Sequence, residues 1–210
     1  MNNIKFIFLV LGILFLILPS VAGAQTGCYD KGFGVVICEG DTVRIKNDSN
    51  EDRVGTAREV FSDGMIRVDY VHSGSSYTLF REARFVDPAV PCVGGICQNA
   101  QVHLYNDSNE HRSGAVTYVF ADGTVYVTYQ HEGSSYSLSR NVTQVGYSVT
   151  CSSDICKGDR VHFLNDSNER RSGDVLDVYS DGYVKVQYNY GWSTYILYRR
   201  LENVSRRLFN

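Results

Sequence analysis

Only three prolines, two methionines and one tryptophan occur in 210 residues, and beyond residue 24 no stretch carries apolar residues at helical spacing. That absence excludes a helical bundle and an alternating α/β fold, both of which need amphipathic helices. No Cys-x-x-Cys occurs and no histidine recurs beside the cysteines, so the ligand spacing of a zinc site is missing and no metal is expected. A basic excess is lacking too. The formal charge is −3, and the segments 28–91, 92–150 and 151–210 carry −3, −2 and +1. Phosphate recognition needs a concentration of cations, so nucleic acid is not an expected partner. The one basic cluster, Arg199, Arg200, Arg206 and Arg207, reads as a solvated terminus.

Long apolar runs are confined to the start of the chain. Phe6 to Leu18 is almost unbroken, Lys5 is the only charge before residue 25, and Ala22-Gly23-Ala24 has the small-x-small pattern of a cleavage site. Residues 1–24 therefore read as a signal peptide cleaved near Ala24, too short in its apolar part for a spanning helix, which leaves no stable membrane insertion afterwards. The expected address is periplasmic or secreted. All six cysteines lie after this segment, in close pairs. In an oxidising compartment they read as local disulfides, Cys28–Cys38, Cys92–Cys97 and Cys151–Cys156.

Asn-Asp-Ser-Asn-Glu stands at 47–51, 106–110 and 165–169, spaced by 59 residues both times. The flanking sequence repeats with it, which predicts three units: 25–91, 92–150 and 151–210. Each opens on an alternating strand (Val43 and Ile45; Val102 and Leu104; Val161 and Phe163), whose intervening Arg44, His103 and His162 are expected at the surface. The pentapeptide is a turn, and Gly55, Gly114 and Gly173 are expected to supply a positive φ after it. The apolar spacing of three in the next strand predicts a bulge, and Asp63-Gly64, Asp122-Gly123 and Asp181-Gly182 predict type I′ hairpins. Two more strands follow, ending at Arg81, Arg140 and Arg199, and a last short one holds Val86, Val145 or Val204. Such short strands curl most economically into a small barrel. Asp87-Pro88-Ala89-Val90-Pro91 and residues 146–150 read as spacers, each stapled by a cysteine pair onto the following barrel. The longer first loop, Tyr29 to Ile37, is expected to cap the end of the array.

In the third unit the pattern Gly158-Asp159-x-Val161, Gly173-x-Val175, Val178-x-x-Asp181-Gly182-x-Val184-x-Val186-x-Tyr188 and Leu197 resembles SH3-like barrels of the Tudor, agenet and KOW kind, and bacterial SH3-like modules. The resemblance covers nearly the whole chain after residue 24, and in the second unit Asn99-Ala100 replaces Gly-Asp. It implies an all-β chain of three tandem small SH3-like β-barrels, each preceded by a local disulfide, with a single β-trefoil as the architectural alternative. It also implies ligand-binding aromatics near the barrel rim: His72 and Tyr77, His131 and Tyr136, Tyr190 and Tyr195. Trp192 joins them because it occurs in one unit only, in a loop, where a large apolar side chain marks a contact surface.

The polar clusters come in triplicate on turns and the histidines do not coincide across units, so no catalytic residues and no cofactor are expected. Asp48, Asn50 and Asp52 imitate a calcium loop, but His111 and Arg170 replace Asp52 in the other units. The expected function is an exported, non-catalytic, multivalent adaptor of the bacterial envelope that recognises a protein segment or cell-wall polymer. Alternatives are a structural spacer with no small ligand, or a cell-wall hydrolase accessory or enzyme.

Overall fold

A computed structural model describes residues 27–207, so the expected signal peptide lies outside the described residues. The chain is all-β. Unit 1 runs β1 (Cys28–Gly32), β2 (Val35–Cys38), β3 (Thr42–Lys46), β4 (Asp52–Val60), β5 (Met65–His72), β6 (Ser75–Glu82), a 3-10 turn at Ala83–Phe85, and β7 (Val86–Val90). Unit 2 runs β8 (Cys92–Val93), β9 (Ile96–Cys97), β10 (Gln101–Tyr105), β11 (His111–Phe120), β12 (Thr124–His131), β13 (Ser134–Asn141) and β14 (Gly146–Val149). Unit 3 runs β15 (Cys151–Ser152), β16 (Ile155–Cys156), β17 (Arg160–Leu164), β18 (Arg170–Tyr179), β19 (Tyr183–Tyr190), β20 (Ser193–Arg200) and β21 (Val204–Ser205).

Within a unit the alternating residues point inward. Val43, Ile45, Ala57, Val60, Ile66, Val68 and Val86 form the first core, and the equivalent residues form two more, separate from it. Three separate cores differ from a β-trefoil, which would share one. The predicted bulge occurs in all three units, between Ala57 and Glu59, Val116 and Tyr118, and Val175 and Asp177. The sheets curl without closing. β6 pairs only with β5, and the gap back to β3 is bridged by a side chain: Arg81 Nε donates to the carbonyl of Lys46 at 3.0 Å. Arg140 and Arg199 do the same to Tyr105 and Leu164 at 3.1 and 2.8 Å.

The predicted spacers are strands instead. The start of β7 pairs with β3, where Val86 faces Ile45, and its end pairs with the next unit, where Val90 faces Val119 and Ala89 faces Phe120. β14 is shared in the same way between β10 and β18. The prolines fit because Pro88 offers only its carbonyl, which accepts from Ala121 N at 3.1 Å. One 15-stranded sheet therefore runs through all three units.

The three predicted disulfides form, and each closes its own two-stranded hairpin rather than joining a spacer to the next first strand. The hairpins drive Ile37, Ile96 and Ile155 into the cores, and in unit 1 Tyr29 packs there as well. Turn types also differ from expectation. At Asp63-Gly64 only Gly64 has a positive φ, with Gly64 N bonded to Phe61 O, so the loop is a type I turn followed by a left-handed glycine. Both central residues are left-handed one hairpin later, at Ser73-Gly74 and Glu132-Gly133, as a type I′ turn requires. Gly55, Gly114 and Gly173 do not have positive φ; the neighbouring strand leaves no room for a Cβ, which would stand 2.4–2.5 Å from the carbonyls of Asp69, Thr128 and Gln187.

Candidate functional site: stacked tyrosines and the unit junctions

The Asn-Asp-Ser-Asn-Glu loop is consumed by its own hydrogen bonds. Asn47 Oδ1 accepts from Ser49 N at 3.0 Å and Glu51 N at 2.8 Å, while Asn47 Nδ2 donates to Glu51 Oε2 at 2.8 Å. Asn50 takes the left-handed position that asparagine tolerates, with φ 62°. Asp48 accepts from Arg81 Nη2 at 2.5 Å, so this carboxylate secures the arginine that bridges the open seam. The pattern recurs at Asp107–Arg140 and Asp166–Arg199. Among the described residues no three His, Cys, Asp or Glu side chains converge on a metal position.

From this loop the chain delivers an arginine to the face of β4, β11 and β18. Arg53 Nη2 donates to Glu51 Oε2 at 2.5 Å and Nη1 to the Asp52 carbonyl at 2.8 Å; Arg112 and Arg171 repeat both contacts. Glu51 and Glu110 are consequently held below the ordinary carboxylate range, first by the asparagine hydrogen bond and then by the guanidinium. The Nε of all three arginines is buried without a hydrogen-bond partner.

In each unit two tyrosines stack across the following strand pair. Tyr70 and Tyr77 face each other in register on β5 and β6 with ring centroids 5.2 Å apart; Tyr129–Tyr136 and Tyr188–Tyr195 lie at 5.5 and 5.3 Å. The inner ring is buried and the outer ring is 42–46% exposed. Cross-strand stacking therefore fixes an outward-facing aromatic plate in each unit. The third predicted position stands at the arginine: His131 Nε2 is 3.4 Å from Arg112 Nη2, and the Tyr190 ring lies 4.4 Å from the Arg171 guanidinium carbon. His72 occupies the same register on β5, opposite Ser75. Trp192 is not gathered with them. It projects from the β19–β20 turn, 103% exposed, after the left-handed Gly191.

The Tyr70–Tyr77 plate and Tyr129 border grooves at the unit junctions, not closed rims. Between units 1 and 2 a groove of about 480 Å³ is lined by Gly55, Arg58, Asp69, Tyr70 and Tyr77 with Tyr118 of the next unit. Between units 2 and 3 the equivalent groove, about 590 Å³, is lined by Arg112, Tyr129 and His131 with Lys185, Ile196 and Tyr198.

Behind the grooves the junctions are polar. Arg44, expected at the surface, is largely buried and binds Asp52 at 2.9 Å, Asp87 at 2.7 Å and Asp122 of unit 2. At the second junction His103 takes that place with no exposure at all, the only polar residue among the described residues that is buried as a whole. Its Nδ1 lies 2.5 Å from Asp181 Oδ2 and its Nε2 2.9 Å from His111 Nδ1. Tyr105 and Tyr183 bond hydroxyl to hydroxyl at 2.7 Å, and Tyr198 and Lys185 both donate to Ser113 Oγ. Burial and the Tyr183 hydrogen bond push the Tyr105 phenol up to about 12. Burial, then His103 and Arg199, holds His111 below its ordinary value. Alternation put His103 on the outward side of its strand, and nothing local signals that the next unit covers that side. Comparison with family models and with curated proteins finds no match.

Proposed function

We propose that this is an exported, non-catalytic, multivalent binding protein of the bacterial envelope. It takes a protein segment or cell-wall polymer along its stacked tyrosines and junction grooves. The observation that carries this reading is the recurrence, in every unit, of a half-exposed tyrosine held on a buried one. Such a plate offers a rigid apolar face with little side-chain entropy left to lose on binding. Three disulfides support an oxidising, extracellular setting, and among the described residues no helix is long and apolar enough to cross a membrane. Shared strands hold the three plates on one sheet, so a long ligand engages them together and weak sites add by effective concentration.

Binding to purified peptidoglycan and to envelope protein extract tests this. Tyr77→Ala, Tyr136→Ala and Tyr195→Ala should each weaken retention and the triple variant should abolish it; undiminished retention by the triple variant would reject the site. Trp192→Ala separates an isolated surface anchor from the plates. The same continuous sheet supports a second reading, a stiff spacer, which predicts no retention by wild type on either material.

A further inference from the structure

The two junctions inside the chain are built alike. Arg44 meets Asp122 and His103 meets Asp181, both 78 residues apart, and Tyr105 meets Tyr183 at the same interval. Each unit thus presents a trailing face on its first strands, and the next covers it with a leading face. Phe120 and Tyr179, the large residues of those leading faces, are completely buried.

The 59-residue repeat locates the two faces that are not paired in this way among the described residues. Unit 1 carries a leading face at Phe61, Asp63, Met65 and Phe80, and unit 3 a trailing face at His162 and Leu164. Phe80 is 52% exposed with Phe61 at 6.4 Å, and Leu164 is 40% exposed. An array end that stands alone in water needs a polar outer face, and these two ends carry large apolar side chains. Transposing the internal junction sets His162 against Asp63 and Phe61, and Leu164 against Met65. A cation-capable ring meets a carboxylate, and an apolar side chain meets another.

We propose that the chain associates head to tail with further copies of itself, the leading face of unit 1 docking on the trailing face of unit 3. The two surfaces differ, so the contact is heterologous and extends copy by copy instead of closing at a dimer. The occupant is a second copy because the surface that fits each end is the one already used twice within the chain.

Sedimentation velocity of the purified protein from micromolar to millimolar concentration tests this, with Phe80→Glu to block the leading face and Leu164→Glu to block the trailing face. Both sites are exposed, and near-ultraviolet circular dichroism checks that the variants keep wild-type packing. Wild type should grow past the mass of a dimer as concentration rises, each variant alone should remain a single chain, and an equimolar mixture of the two should stop at a dimer. A single-chain mass for wild type throughout, or association of Leu164→Glu alone, would overturn the proposal.

Discussion

Replacing Gly114 by alanine adds one methyl group, and the structure specifies what it meets. An ideal Cβ would lie 2.4 Å from the Thr128 carbonyl oxygen and 2.9 Å from Tyr129 Cβ. Neither can retreat easily, because β12 is hydrogen-bonded on one side to β11 and on the other to β13. Overpacking of this kind costs about 1–3 kcal/mol, and a backbone obstacle places it in the upper half. Alanine recovers about 0.5–1 kcal/mol through the unfolded chain, leaving a net loss of about 2 kcal/mol. For a chain of this size that lowers Tm by roughly 4–8 °C in a thermal scan followed by circular dichroism. Gly55→Ala and Gly173→Ala meet Asp69 and Gln187 carbonyls at 2.5 and 2.4 Å and should behave alike. An unchanged Tm in all three variants would refute the close-approach account of these glycines.

Removing a hairpin disulfide as a double Cys→Ser variant should cost about 2 kcal/mol for Cys92–Cys97 and Cys151–Cys156. For Cys28–Cys38, which closes a loop twice as long, the figure is about 2.7 kcal/mol, measured by urea denaturation. Stability should also fall with pH at the second junction. His111 is held below its ordinary value of about 6.5 by burial, His103, Arg199 and Arg200, with Asp181 opposing. The unfolded chain therefore binds the proton first. The stability His111 contributes is complete above about 6.5 and is lost as pH falls through its lower folded value. The Tm of wild type should thus drop more between pH 7 and 5 than that of His111→Gln; equal slopes would count against the junction as the titrating site.

Much of this protein was legible from short-range pattern. Alternation of Val43 with Ile45 and of Ile66 with Val68 identified strands and core, because the two faces of a strand differ at period two. The paired cysteines and the bulge were legible for the same local reason. Asn47, Asp48 and Ser49 were expected to bond backbone; the Asn47 side chain does so, whereas Asp48 anchors Arg81 across the open seam. What lies between units was not legible. Pro88 suggested a spacer, yet the flanking residues form a strand used by two units, because a neighbouring edge supplies donors that need only a carbonyl. Gly114 suggested a positive φ, whereas its reason is a carbonyl brought close by strand pairing. Tyr77, Tyr136 and Tyr195 were singled out from the sequence, but their stacking depends on tyrosines seven positions earlier meeting them across a hairpin.

His103 marks the limit most clearly. The sequence by itself determined its strand and its outward direction, since both follow from neighbours two residues away. Only the tertiary structure decided that outward meant toward Asp181 and three tyrosines of the next unit, because burial there depends on contacts up to 95 residues along the chain.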